Sequence, residues 1–167
     1  MTEDFRLLAA VIAAHPDRMV AGRTRLQKTV KLLQSLGMPT RFLYSIHFYG
    51  PYSEDVQACI GLLEKIGLAE EGERSSGDGG NIYYLVKATD AADAALVKKY
   101  QQQINLMADT PTDILELAAT YQAFREQGDG RGVAAKRLKI KKASKCTGNN
   151  VQKAMKLLSQ LNLQPMA

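Results

Sequence analysis

Apolar side chains recur along most of this chain at three- and four-residue spacings, the period of an amphipathic helix. Phe5, Leu8, Val11 and Ile12 share one face and predict a helix from about Glu3 to His15. Thr2 is placed to cap it, Glu3 and Asp4 favour its positive end, and Pro16 stops it. A second helix is expected from Thr24. Thr24-Arg25-Leu26-Gln27 has the form of a capping box, Leu26, Val30, Leu33 and Leu36 make the apolar stripe, and Gly37 supplies a left-handed stop. The period then changes to two. Phe42, Tyr44, Ile46 and Phe48 alternate with Leu43, Ser45, His47 and Tyr49, which predicts a strand over 42–49 closed by a Gly50-Pro51 turn.

Ser53, followed by Glu54 and Asp55, caps a third helix with Val56, Ile60, Leu63 and Ile66 on its buried face and Gly67 at its end. Two short strands, 68–74 and 81–87, flank the flexible tip Ser75-Ser76-Gly77-Asp78-Gly79-Gly80 and predict a hairpin. A helix opened by Thr89 and Asp90 is expected to run to about Met107. Another opens at Thr110-Pro111-Thr112-Asp113, buries Ile114, Leu117, Ala118, Tyr121 and Phe124, and stops at Gly128. A short helix over 132–138, a basic connector and a helix over 150–161 complete the pattern.

This order predicts a mainly α chain with a small β-hairpin or sheet (α+β). It is divided as a winged helix-turn-helix over 1–88 and a C-terminal helical extension with a basic tail over 89–167. Residues 55–68 can be laid over 150–163 at an offset of 95, with Val, Gln and three Leu coinciding and Gly67 against Asn162. The overlay reads either as two related helix-turn-helix-like units, the second without a wing, or as coincidence, since any amphipathic helix places leucines at these spacings.

Two motifs carry a resemblance. Gly22-Arg-Thr-Arg-Leu-Gln-Lys28 followed by Tyr49-Gly-Pro-Tyr-Ser53 resembles the YwgA-like group of uncharacterised bacterial proteins and is distantly similar to Panacea-type antitoxin domains. The match covers residues 3–87 well and the remainder more loosely. It implies a winged-helix fold in a regulatory or toxin–antitoxin-like setting, and it implies no catalytic residues.

Composition narrows the classes. Of 167 residues, 46% are hydrophobic and 23% charged, enough for a packed core. The longest apolar run, Leu7 to Ala14, is far too short to span a bilayer. Glu3 and Asp4 stand where a secretory signal needs basic residues, so a cytoplasmic location is expected. Cys59 and Cys146 form no framework and read as reduced thiols, a disulfide between them being the minor alternative. His15 and His47 lack metal-site spacing. The hydrolase, zinc-protease and phosphate-loop motifs are missing, so no catalytic residue, cofactor or metal is expected and the chain reads as a binding protein.

Charge supplies the candidate partner. Residues 131–167 hold nine basic residues and no acid, a net +9, whereas residues 1–130 carry −4. A basic tail points to an anionic partner, or to a solvated lysine-rich face. The candidate nucleic-acid contacts are Arg23, Arg25, Lys28 and Lys31 on the second helix, Arg74 on the wing, with Arg18 beside them, and Lys136, Arg137, Lys139, Lys141, Lys142 and Lys145 in the tail. For the second-helix set, an ordinary solvated face is the alternative. The third helix argues against the usual major-groove docking, because Glu54 and Asp55 would meet phosphates. The tail lacks aromatic residues for base stacking. His47 and the Tyr49–Ser53 turn read most simply as structural. The leading expectation is a bacterial regulatory protein whose winged helix binds nucleic acid. The alternative is an antitoxin- or adaptor-type module that binds a protein beside Tyr49–Ser53. Residues 89–127 supply either homodimer contacts or a cover for the core.

Overall fold

The computed structural model describes residues 2–163, and of Thr2 the backbone alone, so the cap expected of the Thr2 side chain lies outside the described residues. The described chain is an α+β arrangement of seven α-helices and five short strands. In order these are α1 (Thr2–Ala14), β1 (Met19–Ala21), α2 (Arg23–Ser35), β2 (Ser45–His47), β3 (Gly50–Tyr52), α3 (Glu54–Lys65), β4 (Ala69–Ser75) and β5 (Ile82–Ala88). A 3₁₀ stretch (Ala94–Tyr100), α4 (Gln101–Ala108), α5 (Thr112–Glu126), α6 (Arg131–Lys141) and α7 (Asn150–Gln160) follow. The strands form two antiparallel sheets, one ordered β1-β5-β4 and one consisting of the β2–β3 pair. No described helix is long and apolar enough to cross a membrane.

Three helices are buried on all sides rather than along one stripe. In α1 every residue from Leu8 to Ala14 is buried, in α2 every residue from Leu26 to Leu33, and in α5 every residue from Ile114 to Tyr121. A helix apolar all round belongs inside a core. The alanines of α1 and α5 allow this, because a methyl side chain lets neighbouring elements approach from several directions. α5 packs against α2, β3, α6 and α7, and α1 against α3, β5 and the 3₁₀ stretch. One continuous apolar cluster joins Leu8 and Leu26 to Leu117, Leu138 and Leu163. The core therefore does not stop at residue 88. The helices of 89–127 lie over it and carry the tail, with α5 buried from Ile114 to Tyr121.

Several sequence expectations change for identifiable physical reasons. β1 was not expected, since three residues give no alternation to read; Met19, Val20 and Ala21 pair with Lys87, Val86 and Leu85. α2 begins at Arg23, with Gly22 at the cap and no side-chain cap bond, because Gln27 turns away to another partner. The strand expected over 42–49 shrinks to Ser45–His47. Upstream, the Phe42 carbonyl accepts from Gln34 and the Arg41 amide donates to Asp4, so side chains occupy the groups a ladder would use. The chain reverses at Phe48-Tyr49, and Gly50-Pro51, expected to be the turn, is strand. The helix expected from Thr89 starts only at Asp93, whose side chain accepts from the Ala95 amide at 2.9 Å. Ahead of it, Arg18 donates to the carbonyls of Thr89 and Ala92 at 2.7 and 2.8 Å and Thr89 donates to Gly67. That binds 89–92 into a turn and occupies Arg18, which had been placed with the backbone-gripping cations.

The helix stops follow the sequence closely. Gly67 and Asn162 are both left-handed, with φ of 74° and 60°. The Leu68 amide reaches back to the Leu63 carbonyl and the Leu163 amide to that of Leu158, each at 2.9 Å. The same closure ends α2 at Gly37–Met38 and α5 at Gly128–Asp129. The likeness of the two overlaid helix ends is thus a general C-cap solution here and gives no separate support to a repeat.

Because α2 is buried by α5 rather than by α1 and α3 alone, residues 1–88 expressed by themselves are expected to lack a cooperative urea transition, whereas residues 1–163 show one. Sharp unfolding of the short fragment would mean that the first half holds a sufficient core of its own.

Candidate functional site

Two helices and a connector converge on the backbone of the β2–β3 hairpin. Gln27, from α2, makes a reciprocal pair with Ser53: its Nε2 donates to the Ser53 carbonyl at 2.8 Å and its Oε1 accepts from the Ser53 amide at 2.9 Å. From the next position of α2, the buried Lys28 ammonium donates to the Pro51 carbonyl at 2.6 Å. From the segment after α6, Lys142 donates to the Phe48 carbonyl and pairs with Glu116 at 2.6 Å. Lys145 closes the cluster on the other Glu116 oxygen at 2.5 Å and on Asp113 at 3.1 Å. Glu116 is 1% exposed and Lys142 is 4% exposed.

Gly50 lies where the hairpin meets α5. Its φ is 84°, and a Cβ there would fall well inside contact distance of the Thr120 hydroxyl. Only glycine has both the backbone freedom and the missing side chain that this approach requires. The two sequence motifs therefore meet in space: the Leu-Gln-Lys turn of α2 holds the carbonyls and amide of the Gly-Pro-Tyr-Ser strand, and α5 abuts its glycine. Ser53, buried, also caps α3 by accepting from the Val56 amide at 3.4 Å.

Beyond these anchors the hairpin tip stands in water. Phe48 is 80% exposed and Tyr49 is 56% exposed, their rings edge to face at 5.0 Å. Lys142 and Lys145 lie over the two rings at 5.7 and 5.5 Å. At the hairpin base, Leu43, Tyr44, Ser45, Tyr52, Glu54 and Asp55 line an open groove of about 290 Å³. His47 is explained locally, exchanging a hydrogen bond with the Ser45 hydroxyl at 2.7 Å and resting against Tyr52. His15 is buried, donates from Nδ1 to the Val11 carbonyl at 2.7 Å, and is held below its ordinary pKa mainly by that burial. Cys59 and Cys146 are free thiols, both pushed up by burial.

The eleven cations singled out in the sequence do not form one surface. Arg23 pairs with Glu71 at 2.5 Å and stacks on Tyr84 at 3.6 Å. Arg25 donates to the Met107 carbonyl and the Thr112 hydroxyl, tying α2 to the α4–α5 junction. Lys28 and Lys31 are buried, the latter against Glu126 and Ser35, so neither a phosphate-facing nor a solvated face forms on that side of α2. Arg74 is exposed on β4 and donates to the adjoining Glu73 carbonyl. In the tail, Lys142 and Lys145 belong to the Glu116 cluster, and Arg137 pairs with Asp129 at 2.5 Å while covering Phe124. Lys136, Lys139 and Lys141 are exposed and make no ion pair among the described residues, as are Lys153 and Lys156, which the sequence reading had left out of the site. Glu116 and the tip residue Phe48 were also missed as functional positions. Glu116 is marked in the sequence by being a lone acid in the apolar run from Ile114 to Ala119.

The chain is similar to the uncharacterized protein YwgA of Bacillus subtilis (strain 168), with 28% identity over 154 residues spanning 85% of this chain and 87% of that protein. No family model matches the chain.

Two outcomes test the site. Gly50→Ala is expected to cost on the order of 3 kcal/mol, by positive φ and overpacking together, against about 1 kcal/mol for Gly77→Ala, where the φ is positive but no atom stands nearby. Urea midpoints of the two variants measure the difference, and equal losses would remove the close-approach argument. The second concerns Lys28, whose pKa burial pushes down to about 8. Between pH 8 and about 10.4, the unfolded lysine value, the unfolded chain holds the extra proton, so this residue makes stability rise with pH across that window and adds no slope below it. The stability of the wild type relative to Lys28→Met should therefore grow from pH 8 to pH 10. A constant difference would show that the ammonium is not desolvated.

Proposed function

We propose that this chain is a winged-helix-type module that recognises another protein through the tip of the β2–β3 hairpin. The winged-helix reading is supported by the order α1-β1-α2-β2-β3-α3-β4-β5, which is that of a winged helix with the β2–β3 hairpin inserted between its second and third helices, and by the sheet order β1-β5-β4, in which the strand between the first two helices adds to a long glycine-tipped hairpin. The observation that carries the functional reading is the contrast within one hairpin. Buried polar groups from α2 and from the α6–α7 connector hold its backbone, and the same hairpin projects two aromatic rings into solvent. A rigid, exposed aromatic pair is what a protein-binding hot spot needs, since the ordering cost is met before the partner arrives. The supporting residues then act at one remove, by fixing where Phe48 and Tyr49 stand.

The exposed surface of α3 supports the same reading. It presents Glu54, Asp55, Glu64 and the half-exposed Leu62 and Ile66, with Lys65 as its single cation. In a winged helix this is the element that enters the major groove, where carboxylates oppose binding to phosphates. The similarity to the B. subtilis protein adds no activity to either side of the argument.

A second reading rests on a separate observation, the five exposed and unpaired lysines of α6 and α7. These support nucleic-acid binding by the C-terminal unit, through phosphate contacts without sequence reading.

Site-directed photocross-linking in cells separates the two. Phe48→p-benzoylphenylalanine is expected to trap a discrete protein, whereas the same group at Ile82, 67% exposed on the long hairpin, is not. Absence of any protein adduct at position 48, together with salt-sensitive retention on mixed DNA that Lys139→Glu/Lys141→Glu abolishes, would overturn the protein reading in favour of the second.

A further inference from the structure

α3 turns one whole face to solvent. Its outward residues Glu54, Ala58, Leu62 and Lys65 follow the three- and four-residue spacing of a single helix face, and all four are exposed. Leu62 is 40% exposed, and Ile66, just past the last turn, is 46% exposed. Gly61 borders the same face in mid-helix, where glycine weakens a helix, and a Cβ added there would meet no atom of the described residues within 4 Å. No contact within the described chain calls for glycine at that place. Ala58 and Gly61 together leave a shallow gap in the face, with the Leu62 side chain standing beside it.

Turned end over end, this face is complementary to itself. Glu54 opens α3 and Lys65 closes it, about three turns apart and so on the same side of the stripe. Neither makes an ion pair among the described residues. Laid antiparallel against a second α3, each Lys65 comes level with the Glu54 of the other copy. Gly61 then comes level with Ala58, which lets the two backbones approach, and each Leu62 falls beside the other copy's Ala58. The helix dipoles oppose as well, the positive end of one beside the negative end of the other. Parallel pairing would instead set Glu54 against Glu54 and Lys65 against Lys65. The ends of the face agree with the antiparallel order. Leu43, 79% exposed, shares the groove at the start of α3 with Glu54 and Asp55, so the Ile66 of one copy is carried to the same end as the Leu43 of the other.

We infer that the chain forms a two-fold homodimer by antiparallel packing of α3 on the α3 of a second copy, with Leu62 against Ala58 across a gap left by Gly61 and Glu54 paired with Lys65. A two-fold contact requires a surface of this kind, in which each residue meets in the partner the residue that meets it in return. The contact is one helix wide, well below a standard interface, so dissociation is expected in the micromolar range. In the winged-helix reading it occupies the helix that would otherwise enter a DNA groove, and it uses no residue of the hairpin tip.

Sedimentation equilibrium of the full chain, from about 1 µM to about 500 µM, should show a monomer–dimer equilibrium. Glu54→Lys and Lys65→Glu are each expected to raise the dissociation constant about tenfold, and the exchange Glu54→Lys/Lys65→Glu to return it close to the wild-type value. Gly61→Gln separates association from folding. A good helix former at an exposed mid-helix glycine should raise the melting temperature of the dilute monomer, while its side chain fills the gap and weakens the dimer about tenfold or more. A chain that stays monomeric at the highest concentration would overturn the inference and leave the α3 face to a different partner. A dimer indifferent to Gly61→Gln would place the contact elsewhere, and one that the charge exchange fails to restore would have another orientation. Either result would overturn the antiparallel α3 pair.

Discussion

Glu116 holds its carboxylate almost wholly out of water, and that places a strict demand on its surroundings. An isolated buried charge is too costly to persist, so ammonium groups must reach it, and a buried ion stripped of its partner costs about 3–5 kcal/mol. The two oxygens take one lysine each, Lys142 and Lys145. Since Lys142 has donors to spare, it also takes the Phe48 carbonyl. Lys28, facing the same carboxylate from α2, feels an attraction to it and a repulsion from the other two ammonium groups, and settles on the Pro51 carbonyl. One acid in the central helix thereby organises three cations from distant parts of the chain, and two of these seize the same hairpin.

The arrangement explains why a β pair of only three residues per strand can keep a definite shape. A two-stranded ribbon is marginal in water by itself. Here the ladder is supplemented by Gln27 acting on both backbone groups of Ser53, by the two lysines, and by the seating of Gly50 on Thr120. The apolar core supplies most of the stability, but these polar contacts select one position for the tip. Buried hydrogen bonds are individually modest, and their value lies in leaving the alternatives unsatisfied.

Local chemistry was legible in the sequence where it is self-contained. The Ser53 cap, the left-handed stops at Gly37, Gly67, Gly128 and Asn162, the glycine-tipped β4–β5 hairpin and the extents of α1, α3, α5 and α7 all depend on residues a few positions apart. What failed depended on distant partners. Lys28 and Lys31 carry charges that normally stay wet, so periodicity assigns them to an outer face; only α5, with Glu116 and Glu126, makes their burial tolerable. The 42–49 alternation promised a long strand because it cannot register that Asp4 and Gln34 take the preceding backbone groups. The basic tail likewise looked uniform, although the structure sorts it into cations bound to Glu116, one paired with Asp129, and a set left in solvent. The motif Tyr49–Ser53 was correctly seen as a structural unit, while the two exposed rings at its leading edge were not separable from core aromatics by pattern alone.

The link between Lys142 and Phe48 spans 94 positions of sequence. Contacts that far apart form only after much of the intervening chain has been ordered. During synthesis the hairpin leaves the ribosome with Gln27 and Lys28 already made but long before Lys142 and Lys145, and for that interval its rings lie on a ribbon held from one side alone. The setting of the hairpin tip is consequently completed at a late stage of translation, when residues through Lys145 have emerged and α5 has docked. A chain halted earlier carries every residue of the tip and still lacks the contacts that hold it, so the final position of the tip is timed by the arrival of the C-terminal helices.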